Sequence, residues 1–227
     1  MAKILLTGSN GLIGKKVKNF LKRKHQVKNI DLKNGIDLSS EIQVKKFFQK
    51  NKNFNYLINL HGANEHIFKE KYKSKNITSS NDEEIFDYYF KNNVFSIYLT
   101  NKYFIKYCKK GKGIINFSSI YSLISPKHKI YKEPKSIFYV TSKFAVNGVT
   151  KYFATKYGKK ISINTIANHG IEWRQPSQFK KNLISHIPKN RMMRTEDLFG
   201  AIELLCSEKN NFINGSTIII DGGYSSW

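Results

Sequence analysis

Short apolar runs alternate with longer amphipathic segments along the chain, and this alternation is the first structural signal. Six short apolar runs predict buried strands, at residues 3–6, 27–32, 56–60, 113–117, 161–166 and 216–220. In the first intervening segment, Ile13, Val17 and Leu21 fall at helical spacing. Strands that alternate with helices predict a three-layer α/β fold, in which helices cover both faces of a doubly wound parallel sheet.

The remaining helices and loops follow from polar boundaries. Ser39 or Ser40 is a candidate cap for a helix that ends near residue 50, and Thr195 for a helix over 195–206. Longer helices are predicted over 82–108 and 138–157, and substrate loops at about 64–84, 120–137 and 168–190. The sequence shows no repeat, linker or shift in composition, which favours a single domain over residues 1–227.

A glycine-rich turn joins the first strand to the first helix, and it reads Thr7-Gly8-Ser9-Asn10-Gly11-Leu12-Ile13-Gly14. Glycines let the backbone approach a pyrophosphate, and the free N–H groups of a helix N-terminus attract its charge. The turn therefore predicts a dinucleotide site. An ordinary strand-to-helix turn without a ligand is the alternative.

An acidic residue closes the second strand. Asp31 lies 17 positions after Gly14, close to the spacing of a dinucleotide-binding fold. A carboxylate there accepts hydrogen bonds from the adenosine ribose and repels a 2′-phosphate, so it favours NAD over NADP. The neighbouring Lys33 leaves NADP open.

The positive charge calls for a separate explanation. The 227 residues carry a formal charge of +23, from 35 lysines and four arginines against 16 acidic residues. Such a charge is typical of nucleic-acid binding. Here, however, lysine is spread along the whole chain, and Asn, Ile, Phe and Tyr are abundant too. All five residues share A/T-rich codons, so we interpret the charge as compositional and do not expect a nucleic-acid partner.

The cysteines, the histidines and the lengths of the apolar runs indicate the cellular compartment and whether a metal site is expected. Two cysteines cannot build a disulfide framework, and no apolar run is long enough for a membrane span. We therefore expect a cytoplasmic protein without membrane insertion. No histidine has metal-like partners nearby, so no metal site is predicted. His61 and His169 stand at strand ends, where we interpret them as packing or hydrogen-bonding residues, with catalysis as the alternative.

Several motifs together resemble the short-chain dehydrogenase/reductase family, in its compact NAD-binding branch. Tyr139-Val140-Thr141-Ser142-Lys143 matches the family's Tyr-x-x-x-Lys signature, and Phe117-Ser118-Ser119 stands before it at a strand end. Asn59-Leu60-His61-Gly62 stands where the family has Asn-Asn-Ala-Gly, and Ile220-Asp221-Gly222-Gly223 looks like its closing turn. The resemblance spans almost the whole chain and implies a Rossmann fold.

The resemblance implies roles for individual residues. Tyr139 would be the base for the substrate hydroxyl, and Lys143 would stabilise its phenolate. Ser119 would polarise the substrate oxygen, and Asn93 would hold a water of the proton relay. The cofactor would contact a larger set: Gly8, Asn10, Gly11, Leu12, Ile13, Gly14, Asp31, Asp37, Leu38, Asn59, Gly62, Tyr139, Lys143 and Ile171. Of these, Asp37 and Leu38 would flank the adenine.

The sequence also departs from the family pattern. The first turn has the glycine spacing of the extended, sugar-nucleotide-modifying branch, and Asn168-His169 replaces Pro-Gly beside the nicotinamide site. Twenty positions separate Ser119 from Tyr139, more than in the compact branch. This insert, from Ser125-Pro126 to Tyr131, is similar to a subgroup encoded with bacterial surface-glycan and flagellin-glycosylation genes.

These features lead to one main functional hypothesis. We expect an oxidoreductase that uses NAD, with NADP possible, on a secondary alcohol or ketone of a sugar or a phosphorylated or nucleotide-linked sugar. A sugar-nucleotide epimerase or dehydratase is one alternative. A non-catalytic NAD- or nucleic-acid-binding protein is the other. The resemblance also implies a homodimer or homotetramer, formed through helices 83–108 and 138–157.

Overall fold

Six parallel strands form one sheet in the order β2-β1-β3-β4-β5-β6. The computed structural model describes residues 1–64, 81–209 and 212–227. The strands are β1 (Lys3–Thr7), β2 (Gln26–Ile30), β3 (Tyr56–Asn59), β4 (Gly113–Phe117), β5 (Ser162–Asn168) and β6 (Thr217–Ile220). Because the strand order reverses beside β1, the sheet is doubly wound, and the predicted three-layer α/β fold is confirmed.

Helices connect the strands in the predicted places. They are α1 (Leu12–Lys22), α2 (Glu41–Lys50), α3 (Asp82–Phe90), α4 (Ser96–Tyr107), α5 (Ile137–Tyr157), α6 (Ser177–Ile184) and α7 (Phe199–Leu205). Asn81 caps α3, since its side chain accepts a hydrogen bond from Glu84 N. A π-helical segment, Lys91–Phe95, joins α3 to α4, so the long helix predicted over 82–108 is interrupted by one wider turn.

The two faces of the sheet bury separate apolar layers. Alternate strand residues such as Leu5 and Leu57 pack toward α2, α4 and α5, whereas Ile4 and Leu6 pack toward α1 and α7. The central strands β3 and β4 are buried along their full length. Burial on both faces requires helices on both sides, which is why these strands read as continuous apolar runs.

Two details differ from the sequence predictions. The segment 168–190 is not wholly a loop, because α6 (Ser177–Ile184) lies within it, directly after Pro176. Thr195 does not cap the last helix: it is the first residue of a 3-10 turn whose cap is Arg194. The Asp197 carboxylate accepts a hydrogen bond from Arg194 N at 2.8 Å, which completes that cap.

Three further expectations concern the loop at 64–84, membrane spans and the two cysteines. Of the predicted substrate loop at 64–84, residues 65–80 lie outside the described residues. Within the described part of the chain, no helix is both long and apolar enough to span a membrane. Cys108 and Cys206 are both free and buried.

Glycine is required where β1 turns into α1. Gly8 has a φ of +66°, a conformation that disfavours side chains. A Cβ on Gly14 would lie 2.1 Å from Gly8 O and 2.7 Å from Ser9 Cα. The first turn of α1 therefore packs directly on the backbone of the preceding loop.

This packing predicts opposite outcomes for two glycine substitutions. Gly14→Ala should cost about 3 kcal/mol or more in the free energy of unfolding, because backbone atoms must move to admit the methyl group. Gly200→Ala should change stability by no more than about 1 kcal/mol, and upward, because an exposed helical glycine with open space gains helix propensity. Chemical denaturation measures both, and equal stabilities would contradict the packing constraint.

Candidate functional site

A cleft of about 880 Å³ opens at the carboxyl ends of the strands. In a doubly wound sheet this is where ligands bind, beside the point at which the strand order reverses. The cleft brings together ten of the residues predicted for the site: Gly8, Gly11, Leu12, Ile13, Gly14, Gly62, Ser119, Tyr139, Lys143 and Ile171. The elements that supply them are distant in the chain but converge at one edge of the sheet.

Asp31 is held by the glycine-rich turn. Its carboxylate accepts hydrogen bonds from Asn10 Nδ2 at 2.8 Å to each oxygen, and from Asn10 N at 3.2 Å. Ser9 Oγ donates to the same carboxylate at 3.3 Å. The Asn10 side chain therefore points at the Asp31 carboxylate and orients it. Asn10 is not among the residues that line the cleft.

Three other predicted residues have their side chains committed elsewhere. The Asp37 carboxylate accepts hydrogen bonds from Ser39 N and Oγ at 2.8 and 2.7 Å. Leu38 is buried in the core layer against α2. Asn59 Nδ2 donates to Asn101 and Asn116 inside the sheet, at 2.9 and 2.8 Å. A role of these residues toward a cofactor would therefore involve mainly their backbone atoms.

Lys143 is buried beside Tyr139. The two residues lie one helical turn apart in α5, and Lys143 Nζ is 5.9 Å from the centroid of the Tyr139 ring. Burial lowers the pKa of Lys143 to about 8, so the ammonium form still predominates at pH 7. A Cβ on Gly62 would lie 3.3 Å from Lys143 Nζ, so the loop after β3 packs tightly on this cation.

Ser119 begins a 3-10 turn at the end of β4. Its Oγ accepts a hydrogen bond from Tyr121 N at 3.2 Å, and the residue is buried at the cleft wall. The hydroxyl keeps its own proton to donate, because only its acceptor side is used in this contact. Ser119 can therefore donate to a substrate oxygen.

Asn93 lies in the π-helical segment and is fully buried. Its side chain bonds to the backbone of Ala63 in both directions, accepting from Ala63 N at 2.6 Å and donating to Ala63 O at 3.2 Å. Asn93 Nδ2 also donates to Ser142 Oγ at 3.0 Å. The side chain is thus held between the loop after β3 and α5, with both amide hydrogens used. Sequence reasoning missed Ser142 in this role, although it stands inside the Tyr139–Lys143 motif.

His61 links three segments through hydrogen bonds. Its Nδ1 lies 2.6 Å from Thr7 Oγ1 and its Nε2 lies 2.8 Å from Ser96 Oγ. Because Ser96 Oγ donates to Asn92 O, it accepts from His61 Nε2–H, and Nδ1 then accepts from the Thr7 hydroxyl. Burial and the nearby Lys143 ammonium lower the pKa of His61 to about 3. A neutral, fully bonded imidazole matches the hydrogen-bonding interpretation.

A separate apolar cluster forms the outer wall of the cleft. It contains Tyr121, Ile130, Leu183, Met192 and Tyr224, from the segments after β4, β5 and β6. The phenols of Tyr121 and Tyr131 are hydrogen-bonded to each other. Sequence reasoning named these loops but not the side chains, because their contact depends on packing between distant segments.

The site fits a dinucleotide better than a metal. Among the described residues, no group of three His, Cys, Asp or Glu side chains could hold a metal ion. The glycine-rich turn packs closely on neighbouring backbone, because a Cβ at Gly14 or Gly8 would collide with Gly8 O or His61 N. The open α1 N-terminus and the oriented Asp31 are the groups that a pyrophosphate and a ribose need.

Comparisons with known proteins agree with this architecture. The family model described as Enoyl-(Acyl carrier protein) reductase matches residues 2–225. A solved short-chain dehydrogenase from Leptospira borgpetersenii with bound NAD+ superposes with a TM-score of 0.80 and 26% identity. That superposition covers 99% of this chain and 92% of the other.

Two curated proteins are similar over shorter segments. A 7alpha-hydroxysteroid dehydrogenase from Paraclostridium sordellii is 31% identical over 153 residues, which are 63% of this chain and 55% of that protein. Post-translational flagellin modification protein A from Campylobacter coli is 29% identical over 132 residues, which are 56% of this chain and 52% of that protein. The chain therefore matches about half the length of these relatives.

The low pKa of His61 predicts a pH-dependent stability. Between pH 6.5 and about 3 the unfolded chain binds a proton at this residue that the folded chain does not, so the free energy of unfolding falls as pH decreases through that window. His61→Gln should remove a loss on the order of 2 kcal/mol between pH 7 and pH 4.5. Chemical denaturation at the two pH values measures the difference.

A matched control separates this effect from general acid destabilisation. His128→Gln changes an exposed histidine and should retain the wild-type loss of stability between the two pH values. If His61→Gln also retains that loss, the neutral, buried state of His61 is wrong.

Proposed function

This chain belongs to the short-chain dehydrogenase/reductase family, and on that premise we propose that it is an NAD(P)-dependent oxidoreductase. It would oxidise a secondary alcohol to a ketone, or reduce the ketone. The observation that carries the proposal is the convergence of Ser119, Tyr139 and Lys143 on one cleft with the glycine-rich turn.

The glycine-rich turn and Asp31 would hold the cofactor. The backbone at Gly11 to Gly14 would bind the pyrophosphate, and Asp31 would bind the adenosine ribose. Solved structures that resemble this chain hold NAD+, NADH or NADPH. The Asp31 carboxylate favours NAD here, since a 2′-phosphate would meet its charge. When bound, the nicotinamide ring accepts or returns the hydride, which no side chain of this protein can do.

Side chains of this protein carry out the proton transfer. Free tyrosine has a pKa of about 10, so Tyr139 needs help to act as a base near neutral pH. The Lys143 ammonium, buried within the same site, stabilises the phenolate more strongly than it would in water. Ser119 donates a hydrogen bond to the substrate oxygen, and Tyr139 takes its proton as the carbonyl forms. In the reverse direction, Tyr139 returns the proton.

The substrate we propose is a sugar or a phosphorylated sugar of surface-glycan synthesis. The similarity to flagellin modification protein A supports it, at 29% identity over 132 residues, beside 31% over 153 residues for the hydroxysteroid dehydrogenase. The cleft wall of tyrosines and Phe179 offers aromatic faces on which a ring can stack. Lys135 and Arg174 also line the cleft and would attract an anionic group.

We also propose that two copies of this chain associate through the surface formed by α3, α4 and α5. We propose the cytoplasm as the location of this assembly. Large apolar side chains are exposed on this surface, among them Phe86, Phe95, Phe144 and Tyr152. Phe144, Gly148 and Tyr152 recur at four-residue spacing, so they form one stripe along α5. The free, buried cysteines support a reducing compartment.

Replacement of the base tests the proposed chemistry. Tyr139→Phe should lower kcat by about a hundredfold or more, since proton transfer by a positioned side chain contributes at least that factor. Absorbance of NADH, followed across a panel of sugars, sugar phosphates and nucleotide sugars with NAD+ or NADP+, gives the rates. Tyr152→Phe, on the exposed face of α5, is the matched control and should retain activity. Full activity in Tyr139→Phe would refute the assignment.

A charge on the α5 stripe tests the proposed association. Phe144→Glu should convert a dimer or tetramer to smaller species, because like charges would meet across the symmetric contact. Light scattering after size-exclusion chromatography gives the mass. Ile42→Glu changes an exposed apolar residue on α2 and should leave the mass unchanged. A wild-type protein that is already monomeric would contradict the proposal.

A further inference from the structure

Within the described part of the chain, the imidazole of His169 is buried beside the cleft without a well-formed hydrogen bond. The residue follows β5, lines the cleft and is 2% exposed. Its backbone is satisfied, because His169 N donates to Ile220 O at 3.0 Å. Neither Nδ1 nor Nε2 makes a well-formed hydrogen bond to the residues that the structure describes, although the Gly170 backbone lies close enough to favour the protonated ring.

The imidazole lies beside an aromatic ring and near the Asp221 carboxylate, whose charge acts against the effect of burial on its pKa. Its ring lies against the Tyr224 ring, with centroids 4.8 Å apart and planes at 58°. Tyr224 belongs to the apolar cluster beside the cleft, and its buried hydroxyl faces that of Tyr121. Stacking and the backbone hydrogen bond therefore hold His169 in place without a well-formed hydrogen bond to its ring.

His169 differs from His61 in the hydrogen bonding of its ring nitrogens. Both histidines follow interior strands. Both nitrogens of His61 are bonded, whereas neither nitrogen of His169 makes a well-formed hydrogen bond to the described residues. An unpaired polar group in the interior destabilises a protein. A histidine kept in such a place is explained most directly by a ligand that supplies the missing partner.

The chemistry of the imidazole indicates the class of ligand. Burial lowers the pKa of His169, so the ring is neutral at pH 7. A neutral imidazole has one donor and one acceptor nitrogen. A hydroxyl group complements both, whereas a carboxylate or a dianionic phosphate can only accept.

We propose that His169 is a specificity-determining residue that binds a hydroxyl group of a polyol or sugar ring in the cleft. The proposal rests on the proposed function and names its substrate class. Because the nitrogens are covered, binding includes a rotation of the imidazole about its two side-chain bonds. Tyr121 and Tyr131, which also line the cleft, would pack against the carbon face of the same ring.

The first test needs no substrate. If the nitrogens are unpaired in the free protein, His169→Leu and His169→Phe should raise Tm by about 2–5 °C, and His169→Gln should not. His186→Leu is the matched control, because His186 also lies near Tyr224 but its Nδ1 is 2.9 Å from Asn182 O. Its Tm should not rise. A fall in Tm for both apolar variants of His169 would overturn the proposal.

The second test measures recognition. Rates of NADH formation from myo-inositol and D-glucose are compared with the rate from cyclohexanol, which has only the reacting hydroxyl. His169→Leu should lower the kcat/KM ratio of polyol to cyclohexanol by about tenfold or more, and His169→Gln should restore part of it. An unchanged ratio would overturn the proposal, even if the apolar variants are more stable.

Failure of the proposed function gives a different result. In that case the wild-type protein oxidises none of the three alcohols with either cofactor. Calorimetric binding of myo-inositol and D-glucose in the presence of NAD+ then decides the role of His169. Binding that is about tenfold weaker in His169→Leu supports it. Equal binding in the variant, or no binding to the wild type, overturns it.

Discussion

Three glycines let four segments of the chain pack closely together, and the site depends on this approach. A Cβ on Gly14 would meet Gly8 O, one on Gly8 would lie 2.7 Å from His61 N, and one on Gly62 would crowd Lys143 and Asn93. These contacts run in series from α1 through the ends of β1 and β3 to α5. This side of the cleft is therefore built from backbone packed on backbone at Gly14 and Gly8, and from backbone packed on buried side chains at Gly62.

The substrate side of the cleft is built differently. Its wall consists of side chains from three segments, after β4, β5 and β6, which meet in an aromatic cluster. His61, on the cofactor side, is fully bonded, whereas the ring of His169, on the substrate side, makes no well-formed hydrogen bond to the described chain. Saturated polar groups hold a site in one geometry, and unsaturated ones are available to a ligand. The two histidines thus mark a division between a preorganised half and a half adapted to a particular substrate.

Most of the positive charge lies outside the cleft. Among the described residues that line the cleft, the cations are Lys135, Lys143 and Arg174. Several other lysines form exposed ion pairs, such as Lys16 with Glu196 and Lys24 with Glu203. Exposed pairs of this kind contribute little to stability. Among the described residues that line the cleft, Lys143 is the buried cation, and the proposed mechanism uses it to stabilise the Tyr139 phenolate.

The sequence by itself determined the fold class and the order of its elements, because strand burial, helical spacing and glycine turns are local signals. It also located the glycine-rich turn, Asp31, Ser119, Tyr139 and Lys143. Only the tertiary structure decided which polar atoms were already used: Asn59 within the sheet, Asn93 on Ala63, and Asn10 on Asp31. It alone revealed α6, the cap at Arg194, and the difference between His61 and His169. Hydrogen-bond saturation depends on neighbours distant in sequence, so no local pattern records it.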